Sequence, residues 1–385
     1  MTQEATLERS VQPTQETIIS ADSHMLEPGD LWTSRVDAKF RDRAPRIFFD
    51  ERRHQWFFGT ENVTLLPVTP FTAADMTGDE MRAINQGEKH PLESARKGGW
   101  DPAERLKDMA LDGVSAEVLY TSFGFNLFQI EDAALQQECF RVYNDWLAEF
   151  VSYDPKRFAG LALISCYDRD QAVAELDRVK KLGLNTAMIW ASPPDDFAFT
   201  STYHDPIWEA AQDLQMPISL HIGTGHGPES RFSKGIKGLQ VMMVTGEVQR
   251  SIAAIIFSGV LERFPRLTIV SAENDIGWLA YFLQRADWAF DFKMVRGRDP
   301  HLSLKPSEYF KRQCYATFME DRVGLKNLDV IGADRVMWSS DYPHASATWP
   351  QSREVIARDF VGVSPDDRRK IVRDTAATMY GLAVE

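Results

Sequence analysis

RLTIVSAENDIGWLAYFLQRADWAF, residues 266–290, holds one complete structural unit. Its first part, RLTIVSAE (266–273), is a short apolar and β-branched run of the kind buried on both faces of a parallel sheet. Its last part, IGWLAYFLQRADWAF (276–290), carries apolar residues at helical spacing. Between them stands a polar break that includes Glu273 and Asp275. A buried strand passing through a polar turn into an amphipathic helix is one βα step of a parallel α/β fold.

The step recurs along the chain in both directions. TIISADSH (17–24), VSAEVLYTS (114–122), FAGLALIS (158–165), LNTAMIWAS (184–192), MPISLHIG (216–223), RQCYATF (312–318) and RVMWSSD (335–341) read as further strands, which makes eight with 266–273. Helical patterns fall between most of them, at 131–150, 168–183, 204–215 and 246–264. Another opens at Asp101, with Pro102 in the first turn and Glu104 placed for a capping box. Eight such units predict a (β/α)8 TIM barrel of the α/β class over residues 17–385, preceded by a flexible arm, 1–16.

One segment, 29–99, breaks the rhythm. It contains RIFFDERRHQWFFG (46–59), which reads as a β-hairpin, and then a polar, Gly-bearing stretch. An insertion after the first strand lies at the C-terminal mouth of a barrel, where active sites open, so a lid or an oligomer contact is expected of it.

Composition narrows the function. Lys plus Arg number 43 against 56 Asp plus Glu, a net charge of −13. That balance speaks against a nucleic-acid partner or a polybasic membrane contact. The three cysteines, Cys139, Cys166 and Cys314, are widely spaced in apolar or helical contexts and read as reduced thiols of a cytoplasmic protein. No apolar run reaches the length of a membrane span, and the N-terminus lacks the pattern of a secretory signal.

The residues with chemistry in them end the strands. The first strand closes on Asp22-Ser23-His24, in which Asp22 and His24, two apart, share a face. The fifth ends at His221, the sixth at Glu273 and the eighth at Asp341. Each alone reads equally well as a cap or a satisfied core residue. Together they place histidines and carboxylates at one end of one barrel, which is the donor set of a divalent metal. Glu27 adds a carboxylate near the mouth, and His344, three residues after Asp341, is a further catalytic candidate that contacts substrate or orients Asp341. His226, on the loop Gly223–Gly227, is a candidate substrate contact. His204 reads as structural, and His54, His90 and His301 as exposed.

DSHMLEP (22–28), SAENDIGW (271–278) and WSSDYPH (338–344) resemble the amidohydrolase superfamily, specifically its amidohydrolase-related branch, which includes aminocarboxymuconate-semialdehyde decarboxylase and the resorcylate-type decarboxylases. The resemblance runs over about residues 17–380. It implies that Asp22, His24 and His221 are metal ligands and that Asp341 both binds metal and exchanges a proton. Many relatives carry a histidine at the end of strand six, where this chain has Glu273. The bridging lysine that related dinuclear hydrolases carry on strand four has no counterpart in LNTAMIWAS.

Two charge balances follow. With Glu27 and Glu273 both in the set, four carboxylates call for two divalent ions, Mn or Fe. With Glu27 at the surface, Asp22, His24, His221 and Asp341 surround one Zn or Mn, and Glu273 serves as a base. The expected function is accordingly hydrolysis or non-oxidative decarboxylation of a small organic acid or amide. The alternatives are O2-dependent hydroxylation at a dinuclear centre, or an inactive metal-binding subunit paired with a related barrel. A homo-oligomer is expected in the first two cases and a hetero-oligomer in the last.

Overall fold

The computed structural model describes residues 16–60, 66–227, 236–294 and 302–383. Its main sheet has eight strands: β1 (Ile19–His24), β2 (Ala116–Tyr120), β3 (Phe158–Leu163), β4 (Thr186–Ile189), β5 (Ile218–His221), β6 (Ile269–Ala272), β7 (Cys314–Phe318) and β8 (Val336–Trp338). They lie side by side in chain order, each parallel to the next. Nearly every strand residue is buried, as expected of a sheet covered by helices on one side and filled by its own side chains on the other.

The sheet meets itself at a seam between β8 and β1. There the Asp341 N–H donates to the Asp22 carbonyl (3.0 Å) and the His24 N–H to the Tyr342 carbonyl (2.6 Å). Beneath these bonds the Ser340 N–H donates to Ser20 Oγ (2.9 Å). The TIM-barrel reading of the sequence holds, and the seam falls where the predicted site residues lie.

The helices differ from the sequence pattern at their ends. They include α1 (Pro102–Asp112), α2 (Ala133–Val151), α3 (Arg169–Lys181), α4 (Asp205–Asp213), α5 (Lys237–Phe257), α6 (Gly277–Asp291) and α7 (Pro306–Gln313). Asp101 caps α1 by accepting from Ala103 N–H and Glu104 N–H, but Glu104 bonds Lys107 in place of closing a capping box. The helix expected at 246–264 starts earlier and stops sooner: Gly259 takes φ +76°, a left-handed conformation that ends α5, and a separate turn, Val260–Arg263, follows. Its unforeseen first turns carry Val241 and Met242 exposed, so no buried stripe marks them in the sequence. Arg312 and Gln313, read as strand, close α7.

Between β1 and α1 the chain forms an antiparallel sheet, with Arg46–Asp50 paired to Gln55–Gly59, and Gln55–Gly59 in turn paired to Leu66–Pro67. Phe58 of this sheet stacks on Phe123 above β2, and the Ala345 N–H donates to Pro70 O. These contacts set the segment on the C-terminal end of the barrel. Of the N-terminal arm only Glu16 is described, and it is tied down by Arg368 (2.8 Å).

Candidate metal centre

β1 builds the first part of the site with an irregularity. Its pairing with β2 shifts register between Ser20 and Ser23, a bulge of the kind that re-aims side chains next to functional sites. Ser20 and Ser23 consequently meet on one side, hydroxyl to hydroxyl (2.8 Å), while Asp22 and His24 turn to the other. His24 Nδ1 bonds Thr121 O (2.8 Å) and His221 Nδ1 bonds Ile222 O (2.8 Å). A carbonyl only accepts, so in both rings Nδ1 carries the proton and Nε2 is the nitrogen turned inward, free to act as a donor to a metal.

The Nε2 atoms converge on carboxylates. His24 Nε2 lies 3.1 Å from Asp341 Oδ1, 3.4 Å from Asp22 Oδ1 and 3.8 Å from Glu273 Oε2. His221 Nε2 lies 3.2 Å from Glu273 Oε2 and 3.6 Å from Asp22 Oδ1. The ligand atoms of Asp22, His24 and His221 fall within 4.8 Å of one another, as do those of His24, Glu273, Asp341 and His344. Asp22 Oδ1, His24 Nε2, His221 Nε2 and Asp341 Oδ1 are all buried without an aligned hydrogen-bond partner. Four buried donor atoms facing one another fit a divalent cation, and the imidazole-and-carboxylate donor set suits Zn or Mn.

The oxygens turned away from the centre are occupied. Asp22 Oδ2 accepts from Thr317 Oγ1 (3.0 Å) and Asp341 Oδ2 from Ser346 Oγ (2.6 Å). His344 Nδ1 stands 2.8 Å from Asp341 Oδ1, its Nε2 is 2.9 Å from Ser122 Oγ, and its ring stacks on His24 at 3.9 Å. Glu273 and Asp341 have φ of +49° and +59°, uncommon for non-glycine residues and concentrated here at the ends of β6 and β8.

Asp341 and Glu273, the two carboxyls among the catalytic candidates, differ electrostatically. Burial favours a neutral Asp341, but His344 and His24 outweigh it and hold this carboxyl well below the ordinary range. Burial, reinforced by Asp341, raises the Glu273 carboxyl. Burial opposes charge on His221, yet Asp22 and Glu273 prevail and push it up to about 10. Glu273 alone of the clustered acids is reachable, with 22% of its side chain exposed against 1% for Asp22 and Asp341.

Glu27 is not brought to this cluster. Its carboxylate accepts from the Thr121 hydroxyl, the Phe123 N–H (3.0 Å) and the Gly124 N–H (3.4 Å), and so ties the turn after β2. His226 also stands apart, bonded to Phe128 O (2.9 Å) beside a cavity of 580 Å³ lined by Tyr167, Ser192 and Arg250. His204 is buried among Trp190, Phe199 and Trp208, as a structural residue should be. His54 is exposed, whereas His90 is half-buried, packs on Trp56 and caps Pro91–Ser94; His301 lies outside the described residues.

Sequence reasoning missed Thr121, Ser122, Thr317 and Ser346, and two aromatic walls. The Phe125 ring stacks on His221 at 4.4 Å, and Phe71 meets His344 edge-on at 4.9 Å. The position of Thr121 and Ser122 at the close of the run read as a strand, 114–122, was the one available signal.

The family model described as Amidohydrolase matches residues 65–382. A gamma-resorcylate decarboxylase of Polaromonas sp. JS666 is 28% identical over 269 residues, 66% of this chain and 79% of the relative. A 2-amino-3-carboxymuconate-6-semialdehyde decarboxylase of Dictyostelium discoideum is 26% identical over 251 residues, 63% and 67% of the two chains. Among solved structures, a dihydroxybenzoic acid decarboxylase of Polaromonas sp. JS666, with bound manganese and the inhibitor 2-nitroresorcinol, superposes with a TM-score of 0.66 at 22% identity, covering 95% of this chain and 97% of the other.

Proposed function

The chain belongs to the amidohydrolase family, and from that premise we propose that it is a divalent-metal-dependent enzyme that removes carbon dioxide from an aromatic carboxylic acid. The observation that carries the proposal is the convergence of four buried donor atoms on Asp22, His24, His221 and Asp341, with the reachable carboxyl of Glu273 beside them. Asp22 and Asp341 as anions balance one divalent ion, manganese or zinc. When bound, that ion supplies positive charge that holds an anionic substrate oxygen and draws electron density toward it.

This chain's residues do the rest. Phe125 and Phe71 offer flat apolar walls for a ring. The Glu273 carboxyl, raised above the ordinary range, gives its proton to the ring carbon that bears the carboxylate. The carbon–carbon bond then breaks, its electron pair restores the aromatic ring and carbon dioxide leaves. Glu273, partly open to solvent, regains its proton there. The resemblance assigns the proton to Asp341; the geometry favours Glu273, because its carboxyl is the reachable one whereas that of Asp341 is buried against His24 and His344. The segment before α1 serves as a lid over this centre, supported by the contact of Phe71 with His344.

Glu273→Gln tests the assignment. It is expected to keep the metal and to lower kcat for carbon dioxide release from hydroxybenzoates by about 10²–10⁴-fold. Activity within a few-fold of the parent returns the proton to Asp341. A metal-loaded parent that cleaves amides and leaves hydroxybenzoates intact overturns decarboxylation itself.

A further inference from the structure

We infer that Thr317 is the positioning residue of this centre: a single hydroxyl on β7 fixes both which oxygen Asp22 offers to the metal and where the backbone of Glu273 stands. The inference rests on the metal-dependent reading above and extends it to a strand with no residue in the ligand set. Thr317 is fully buried. Its Oγ1 lies 2.9 Å from the Glu273 amide nitrogen and 3.0 Å from Asp22 Oδ2. An amide N–H only donates, so Oγ1 accepts there; a hydroxyl has one proton, and here it goes to Asp22. Both roles of the hydroxyl are thereby assigned by chemistry alone.

Two consequences follow for the site. With Oδ2 engaged, Asp22 keeps Oδ1 toward His24 and His221 as a one-oxygen donor in place of a chelating carboxylate. Released from Thr317, the carboxylate is free to turn about its Cβ–Cγ bond and lose that orientation. At Glu273 the bond to the amide holds a residue whose φ is +49°, where a non-glycine backbone does not rest unaided. The hydroxyl therefore couples a ligand on β1 to the proton carrier after β6 across the intervening barrel interior. Such outer partners of metal ligands commonly affect metal affinity by about 10- to 100-fold when removed.

The test uses the full chain with Mn(II), whose free ion is counted by electron paramagnetic resonance. Thr317→Val keeps size and β-branching but has no hydroxyl, and Thr317→Ser keeps the hydroxyl. The expected result is Mn(II) affinity about 10- to 100-fold weaker in Thr317→Val with an altered bound-ion spectrum, and near-parental affinity and spectrum in Thr317→Ser. Should Thr317→Val fail to fold by circular dichroism, Thr317→Cys, whose thiol is a weak donor and acceptor, takes its place with a smaller loss expected in the same direction. Parental affinity and spectrum in the hydroxyl-free variant overturn the inference. So does equal weakening in Thr317→Ser, which would assign the effect to packing. A parent chain that takes up no Mn(II) or Zn(II) overturns the metal-dependent reading and this inference together, whereas a parent that binds metal but releases no carbon dioxide overturns the decarboxylase reading alone.

Discussion

Glu27 and Glu273 are both carboxyls near the barrel mouth, and their neighbours give them different work. Glu27 spends both oxygens on the turn at 121–124, and burial raises its carboxyl. Glu27→Gln is therefore expected to destabilise the fold by about 1–3 kcal/mol in chemical denaturation, because one of its oxygens becomes a donor facing donors. Metal stoichiometry should stay at one per chain; a fall from two to one would restore Glu27 as a ligand. His221 yields a prediction about pH. Its folded-state value near 10 exceeds the ordinary 6.5, so in metal-free protein its charge stabilises the fold fully below pH 6.5, and that contribution is lost as pH rises toward 10. The melting temperature of the metal-free protein should fall across this window, and the fall should flatten in His221→Asn. Metal uptake near neutral pH should correspondingly release a proton, measurable as buffer-dependent heat. That Asp22, His24, His221, Glu273 and Asp341 gather at one place was legible in the sequence because histidines and carboxylates at strand ends are conspicuous. Thr317, Ser122 and Ser346 were not, since a hydroxyl residue acquires its role only from the atoms that the fold sets beside it.

At the level of elements, the strands were legible to within a few residues because buried parallel strands are written as short apolar runs. What the pattern could not disclose was the bulge in β1. Strict alternation sets Ser20, Asp22 and His24 on one face, yet Ser20 pairs with Ser23, since the extra residue resets the alternation. The ends of α5 were equally hidden, one by an exposed apolar start and the other by the left-handed Gly259. The hairpin at 46–59 was readable from its two aromatic runs, but its seat on the mouth depends on distant partners such as Phe123. The short helix Thr69–Thr72 carries the prediction proper to this scale. Phe71→Ala removes the ring facing His344 and should raise KM for an aromatic acid several-fold, up to about tenfold for a ring contact of about 0.5–1.5 kcal/mol, with metal content unchanged. An unchanged KM would set this helix outside the substrate pocket.

For the whole molecule, the decisive feature is that the site straddles the seam. Asp22 and His24 come from the first strand and Asp341 and His344 from just beyond the last, and in the described residues the two edges are held by a few backbone bonds and the serine hydroxyls beneath them. A divalent ion bound there would staple the edges together. Mn(II) at about 100 times its Kd should stabilise the fold by about 2.7 kcal/mol. Slower hydrogen exchange should appear first at the amides of His24 and Asp341, and a chelator should reverse it. Uniform protection across the barrel would argue that the seam is not where the ion acts. Among the described residues no helix is long and apolar enough to cross a membrane.

The same seam bears on biosynthesis. Ser20 and Ser340, which touch across it, are 320 positions apart. Asp22 and His24 leave the ribosome early and His221 later, but Asp341 emerges only after all eight strands have been made. A nascent chain halted before that point holds an imidazole-rich half-site with one anionic flank missing. With the proposed ligand set, tight loading would wait until translation has passed the eighth strand, and an ion caught earlier would meet a weaker set of donors than the finished one.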